Sequence, residues 1–480
     1  MGLTARLGSQ LRLRCMDARS LEFFATASAG ELLSGSPETR ALGVSTDSRQ
    51  TRPWDVFVAL PGDRFDGHDY VREASRKGAA AIVIERNRWP LQVGDCAVIA
   101  VDNTRQALGQ VAERYRADFE LPVVAVAGSN GKTTTKDLIA AVLGQERTTL
   151  SSEASFNNDV GVPLTLMRLE SAHQAAVLEA GTNHPGELAP LLKMIRPRYG
   201  VLTCIGREHL EFFGDLAGVA REEGCLAELL PPDGKLFING DDEWAGRIAQ
   251  HARTRVVRVG TTDTNDWRAE GVRFDKQGVS FRVSGPNQDY AGEYRINLLG
   301  RHQAANALFA IALGAELGLS REAVARGLER CQAPKMRLQS WDLNGVRVLD
   351  DAYNANADSM LAALRTLQEV PCKGRRVAVL GDMAELGTQS EAAHEEVGRR
   401  AAELGIGQLF AIGKMAPVMA RGARGAGLNR VLEFADVESA AAAVKSFIRQ
   451  GDVLLLKASR ATRLERVGEI LRAGETARKN

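Results

Sequence analysis

A chain of 480 residues is too long for one ordinary hydrophobic core and is expected to form about three domains. Its 44% apolar and 25% charged residues exclude a disordered or collagen-like chain, and a formal net charge of +1 gives no overall field toward nucleic acid or an anionic membrane. The six cysteines (Cys15, Cys96, Cys204, Cys225, Cys331 and Cys372) form no C-x-x-C pair, which argues against a zinc site or disulfide framework and for a reducing cytoplasm.

In chain order, the basic start (Arg6, Arg12, Arg14) lacks a signal-peptide core, and no apolar run approaches the roughly 18 residues of a membrane span. The first fifteen residues read as a tail or a misassigned start, or alternatively an organellar presequence, with a helical opening from Met16-Asp17. Candidate strands follow at Val56–Leu60, Ala80–Ile84 and Ala97–Val101, with a helix at Ala107–Arg116, so the first domain is assigned to residues 1–118. The second, 119–332, opens on the apolar run Val123–Ala127, continues through Ala175–Leu178 and Val201–Ile205, and reaches a patch between Val256 and Leu299 that alternates as antiparallel strands do. The third, 333–480, has short apolar runs at Val346–Leu349, Val377–Leu380, Leu409–Ile412 and Val453–Leu456. The expectation is an α/β protein of three domains, with a mostly parallel central sheet and a doubly wound, Rossmann-like C-terminal domain.

The strongest local signal is Gly128-Ser129-Asn130-Gly131-Lys132-Thr133-Thr134-Thr135, directly after a buried strand and before the helical stretch Asp137–Leu143. Glycines there let backbone N–H groups turn toward phosphate, Lys132 can reach the β/γ oxygens, and the Thr133 hydroxyl can bind Mg²⁺. Val126 stands where the full Walker pattern has its first glycine, so this is a shortened G-x-x-G-K-T form. Glu179 and His209 each follow a candidate strand, at the edge where α/β sheets place their ligands. Taken alone, each is equally a cap, a solvated carboxylate or a structural histidine; their shared edge favours a metal-facing reading. In the third block Asp350-Asp351-Ala352-Tyr353-Asn354-Ala355-Asn356 and Lys457-Ala458-Ser459-Arg460 also follow strands, the first suited to ribose or ammonium and the second to carboxylate or phosphate.

Further segments carry a family resemblance: Thr46-Asp47-Ser48-Arg49, Phe57-Val58-Ala59-Leu60, Phe65-Asp66-Gly67-His68, Asn157-Asn158, Gly161 to Leu166, Glu179 to Asn183, Gly300-Arg301-His302, Asn306-Ala307-Leu308 and Gly381 to Gly387. With the motifs above they resemble the Mur ligase family from about Leu21 to Val467. The match is most specific to the branch that joins D-alanyl-D-alanine to a UDP-linked muramoyl tripeptide.

The resemblance implies a UDP-binding N-terminal domain, a central P-loop-type ATPase domain and a C-terminal domain that closes over ATP and takes the incoming dipeptide. Ser45, Asp47, Ser48 and Arg49 match the UDP segment, and Asn157 and Asn158 match one facing the UDP-linked substrate. Gly128 to Thr134, Asn306, Arg337 and Asp351 match ATP-binding positions. Asn354, Asn356, Lys457, Ser459 and Arg460 match the C-terminal segments around the dipeptide. Thr133 matches an Mg²⁺ position, and Glu179 and His209 match ligands of a second Mg²⁺. Most relatives carry a CO₂-carbamylated lysine in the segment after the histidine; aligned on His209 and Gly224 it falls on Glu223. Either the register slips, or Glu223 encodes that carboxylate directly and joins Lys132, Glu179 and His209 in catalysis; a solvated surface glutamate is the bland alternative. Gln303, Ala357 and Ala458 stand where the family has asparagine, proline and glycine.

The implied activity is ATP- and Mg²⁺-dependent amide formation between UDP-N-acetylmuramoyl-tripeptide and D-alanyl-D-alanine. A cytoplasmic monomer is expected, without nucleic-acid partners or membrane insertion. A sister ligase adding another amino acid, a folate polyglutamate ligase, or a nucleotide-binding scaffold without turnover are the competing readings.

Overall fold

The computed structural model describes residues 16–62, 64–90, 93–275 and 277–479, with side chains to 473. The expected tail or presequence and Cys15 lie outside those residues. The first helix starts at Leu21, where the Ser20 side chain accepts from the Phe23 N–H, rather than at Met16.

Three main sheets follow one another along the chain. The first runs, in spatial order, Glu31–Ser34, Ala97–Val101, Ala81–Glu85, Asp55–Val58 and Gly43–Ser45, parallel except for the antiparallel edge strand Glu31–Ser34. The third has six strands: Gln339–Leu343, Val346–Asp350, Val453–Lys457, Arg376–Gly381, Gln408–Ile412 and Val431–Phe434. It is parallel apart from the first, with helices on both faces, the expected doubly wound arrangement.

The nine-stranded central sheet has Val123–Ala127 between Tyr199–Leu202 and Ala175–Glu179, with all five of its residues buried. Its outer half departs from the sequence expectation. Arg255–Gly260 lies inside the patch read as antiparallel but pairs parallel with Lys235–Asn239; only Trp267–Asp275, Gly278–Ser284 and Gly292–Ile296 form the antiparallel meander. The order reverses at Val123–Ala127, so its carboxyl end opens at a switch point where a crevice forms outside the sheet. No helix among the described residues is long and apolar enough to cross a membrane.

Tyr115, on the last helix of the first block (Thr104–Arg116), stitches that block to the central one. Its ring is fully buried, its hydroxyl donates to the Leu169 carbonyl at 2.6 Å, and it accepts from the Asp17 N–H at 2.8 Å. Tyr115→Phe leaves both backbone groups without that partner and is expected to lower stability by about 1–3 kcal/mol, read from chemical denaturation.

Candidate active site

The strand Val123–Ala127 delivers its chain into a four-residue loop that turns through left-handed backbone at Gly128 (φ +113) and Gly131 (φ +84), then enters the helix Lys132–Leu143. A Cβ at Gly128 would sit 2.4 Å from the Thr203 Oγ1, and one at Gly131 2.9 Å from the Asn306 Oδ1, so glycine is required on steric as well as torsional grounds. A cleft of about 680 Å³ lies over the helix N-terminus, where free N–H groups and the helix dipole favour an anion.

One wall comes from the central sheet: Ser129, Asn130, Gly131, Lys132, Thr133, Thr134, Asn157, Asn158, Glu179, His209 and Asn306. The other carries Arg337, Asp351, Asn354, Asn356, Lys457, Ser459 and Arg460. Sequence positions as far apart as Ser129 and Arg460 thus meet around one space. Two expected members stay outside. Gly128 and Glu223 do not line the cleft; the Gly128 N–H, expected to face phosphate, donates at 2.6 Å to the Glu223 Oε2 beneath the loop.

Lys132 Nζ donates to the Gly128 carbonyl and lies 3.5 Å from the Glu208 Oε2. Burial opposes its charge, but the carboxylates of Glu208, Glu223 and Glu179 outweigh it and hold the ammonium above its ordinary value. Glu223 is 1% exposed, which rules out the solvated-surface alternative. Burial pushes its pKa up to about 8 against the pull of Lys132, so in the ligand-free site it does not carry the full charge of a solvated glutamate. Its neighbour Glu222 is also buried, accepting from the N–H groups of Gly186 and Leu188 at the start of the helix Leu188–Ile195. The two adjacent glutamates therefore do separate jobs.

Among the described residues, Thr133 Oγ1, Glu179 Oε2 and Glu223 Oε1 are buried oxygens without a hydrogen-bond partner around the loop, as is Thr135 Oγ1 further into the helix. Hard, unpaired oxygens suit Mg²⁺, and the rarity of such orphans makes three around one loop informative. No three His, Cys, Asp or Glu side chains among the described residues converge to hold an ion by themselves. An ion here would complete its shell with water and phosphate oxygens, as Mg²⁺ commonly does. The other Glu179 oxygen accepts from the Asn157 Nδ2 at 2.8 Å, which ties the carboxylate to the expected substrate-facing segment. His209 lines the cleft with its Nδ1 paired to the Glu385 carboxylate.

On the facing wall Lys457, 3% exposed, donates to the Asp351 Oδ2 at 2.6 Å and to the Asn354 carbonyl at 3.1 Å. Asp350, the other half of the double aspartate, is buried away from the cleft near Arg472. The Arg337 guanidinium stacks over the Tyr353 ring, whose hydroxyl bonds to Ser155, and the Asn356 Nδ2 donates to the Asn130 Oδ1 at 3.0 Å. The three departures from the family pattern are accommodated. Gln303 accepts from the Asn306 Nδ2 at 2.8 Å; Ala357 is the first residue of a helix with an Asn356–Ser359 capping box, where alanine and proline both fit; Ala458 is fully buried, and its methyl packs where Gly381 has no side chain. The last therefore puts no methyl into the cleft.

Ser45, Asp47, Ser48 and Arg49 lie off this cleft, at the carboxyl end of Gly43–Ser45 in the first sheet. Asp47 accepts twice from the Arg49 side chain at 2.9 Å and once from the Gln50 side chain, and the Arg49 bonds are the main reason its pKa falls to about 2. The Ser48 hydroxyl donates to the Glu73 Oε2 at 2.8 Å. The turn is thus self-bonded, with the Arg49 side chain 83% exposed.

Glu208 was missed from sequence although it is 6% exposed and faces Lys132. Its signal was available: an acidic residue just before His209 at the carboxyl edge of the sheet.

Three family descriptions match the chain in order: "Mur ligase family, catalytic domain" over residues 41–116, "Mur ligase middle domain" over 126–314 and "Mur ligase, glutamate ligase domain" over 336–460. The UDP-N-acetylmuramoyl-tripeptide–D-alanyl-D-alanine ligase of Escherichia coli K12 is 37% identical, covering 90% of this chain and 94% of its own length. The Bacillus subtilis 168 protein of the same name is 35% identical over 88% and 92%. Among solved structures, MurF from Acinetobacter baumannii superimposes with a TM-score of 0.86 at 30% identity over 95% of this chain and 99% of that one. MurF from Thermotoga maritima in complex with ADP gives 0.78 at 26% identity over 91% and 98%. With a phosphate loop opening into a two-walled cleft and relatives matched over nearly their whole length, the chain belongs to the Mur ligase family.

Proposed function

We propose that this protein joins D-alanyl-D-alanine to UDP-N-acetylmuramoyl-tripeptide at the expense of ATP, giving the UDP-linked pentapeptide used in peptidoglycan synthesis. One observation carries the chemistry: Lys132, Thr133 and Glu179 face Asp351 and Lys457 across a single cleft. The names of the E. coli and B. subtilis relatives support the choice of substrates.

A carboxylate is a poor acyl donor because oxide would have to leave. The carboxylate at the tripeptide's end therefore attacks the γ-phosphoryl group, forming an acyl phosphate and releasing ADP. The dipeptide amine then attacks the acyl carbon, and inorganic phosphate departs as the amide forms. Such phosphoryl transfers depend on positioning and charge, and no covalent enzyme nucleophile is required. Lys132 offsets charge on the transferring group. Thr133 and Glu179, with Glu223 beneath the loop, are the oxygen donors proposed for Mg²⁺, which would supply charge neutralisation. Asn157 and Asn158 hold the UDP-linked substrate, Asn306 and Arg337 hold ATP, and Asn354, Asn356, Ser459 and Arg460 meet the incoming dipeptide.

In this reading residues 1–118 bind the UDP end, 119–332 bind ATP and 333–480 close over it. A reaction fed by ATP and a UDP-linked precursor belongs in the cytoplasm. Incubating the purified protein with ATP, Mg²⁺, D-alanyl-D-alanine and UDP-tripeptides ending in L-lysine or meso-diaminopimelate is expected to give a pentapeptide mass and ADP in equal amounts. ATP turnover that responds to a single amino acid and not to the dipeptide would replace this reading with that of a sister ligase.

A further inference from the structure

Arg207 does not line the cleft, yet it joins the two walls. Its Nε and Nη2 donate to the Asp358 Oδ1 at 2.9 and 2.7 Å, its Nη1 to the Glu396 Oε2 at 2.6 Å, and its backbone N–H to the Asp358 Oδ2 at 2.7 Å. Asp358 lies in the first turn of the helix Ala357–Glu369 and Glu396 on the helix Ser390–Glu403, both beyond the central sheet. A forked guanidinium can engage two carboxylates at fixed angles, which a lysine cannot reproduce.

The same short segment grips the phosphate loop from the other side. Gly206 N–H donates to the Ser129 Oγ at 2.8 Å, and the Ser129 N–H donates to the Cys204 carbonyl at 2.8 Å. A Cβ at Gly206 would lie 2.9 Å from the Asp358 Oδ2 and 3.2 Å from the Asn130 Nδ2, so loop, segment and helix are packed with no room between them. Two other ion pairs cross between the walls: Arg301 with Glu369, whose arginine side chain is 53% exposed against 24% for Arg207, and His209 with Glu385; neither is bonded to Ser129 or Asn130.

We propose that Arg207 is a positioning residue that docks the Asp351–Asn356 segment onto the phosphate loop for phosphoryl transfer, without touching nucleotide. The inference rests on the ligase reading of this cleft. It identifies Arg207–Asp358 as the ionic contact through which the third sheet's docking reaches Ser129 and Asn130.

The test uses the full chain with Arg207→Ala, Arg207→Lys, Asp358→Ala and the Arg207→Ala/Asp358→Ala double variant, each checked for a wild-type circular dichroism spectrum. For Arg207→Ala we expect turnover to fall on the order of tenfold to a hundredfold, while affinity for the UDP-tripeptide is retained. Arg207→Lys should recover only part of the loss, and the double variant should be no worse than the poorer single one. Small-angle scattering with a non-hydrolysable ATP analogue should show a larger radius of gyration for Arg207→Ala than for wild type. Unchanged turnover and scattering in Arg207→Ala, or losses that simply add in the double variant, would overturn the proposal. If the wild-type protein forms no pentapeptide the ligase reading fails instead, and the scattering comparison still decides the docking role.

Discussion

Lys132→Ala is expected to lower ADP release and pentapeptide formation on the order of a thousandfold or more, while the UDP-tripeptide still binds with near-native affinity. The lysine is the cation facing three carboxylates, Glu208, Glu223 and Glu179, beside the loop that receives the triphosphate. Removing it strips charge compensation from the transferring phosphoryl group and leaves those carboxylates to repel it, a loss at least as large as that of one preorganised donor. The UDP segment should not feel the change. Ser45 to Arg49 lie on another sheet, bonded among themselves and to Glu73, and none of them lines the cleft. Isothermal titration of the UDP-tripeptide alongside an ADP-release assay separates the two. Parallel loss of binding and turnover would show that the two regions do not act independently.

That separation also shows which parts of the fold were legible in sequence. Ala97–Val101 and Val123–Ala127 were read residue for residue, because five consecutive apolar residues between turn signals have few homes other than a buried parallel strand. The run Val201–Ile205 was apolar enough to be read as a strand, but the strand ends at Leu202. Thr203 to Ile205 leave the sheet to serve the loop: the Cys204 carbonyl accepts from Ser129, and the Ile205 N–H donates to Asp242. A strand's composition does not reveal when tertiary bonds draw its end away. Thr149–Ser151 and Glu31–Ser34 were missed for the opposite reason, being too short and too polar to show a period.

At the site, residues in contiguous motifs were found and those defined by long-range contact were not. Lys132 and Thr133 are announced by their own loop, and Asp351 and Lys457 by strand ends. Glu208 stands beside His209 at the carboxyl edge of the sheet, but what it does shows only in the fold, where the chain turns it toward Lys132, 76 positions earlier. The partnership of Arg207 with Asp358 spans 151 positions and had no local signature. The hydrogen bond from Gly128 to Glu223 is of the same kind, and it changes the expectation for that glutamate.

Glu223→Ala is expected to lose on the order of a hundredfold in activity and to need more Mg²⁺ for half-maximal rate, whereas the unmodified protein should work equally well with and without dissolved CO₂. The family resemblance places at this position a lysine that relatives carbamylate; a glutamate has no amine to modify, so no bicarbonate dependence can arise through it. Its reach is the difficulty. Glutamate is three bonds shorter than a carbamylated lysine, a deficit of roughly 3 to 4 Å. Accordingly the side chain sits beneath the loop instead of in the cleft, with one oxygen on the Gly128 N–H and the other unpaired. From there it can act on a metal through water; burial holds its pKa up in the ligand-free site, and a cation beside the loop would favour its charged form. The alternative is that Glu223 only pins the loop through the Gly128 bond. Glu223→Gln separates the two, since an amide oxygen can still accept from Gly128 but brings no charge. If charge matters, the glutamine variant keeps its fold and still shows a raised Mg²⁺ requirement. Full activity of Glu223→Gln at limiting Mg²⁺ would reduce Glu223 to a structural bond, and strong bicarbonate activation of the wild-type protein would mean that a lysine elsewhere supplies the carbamate.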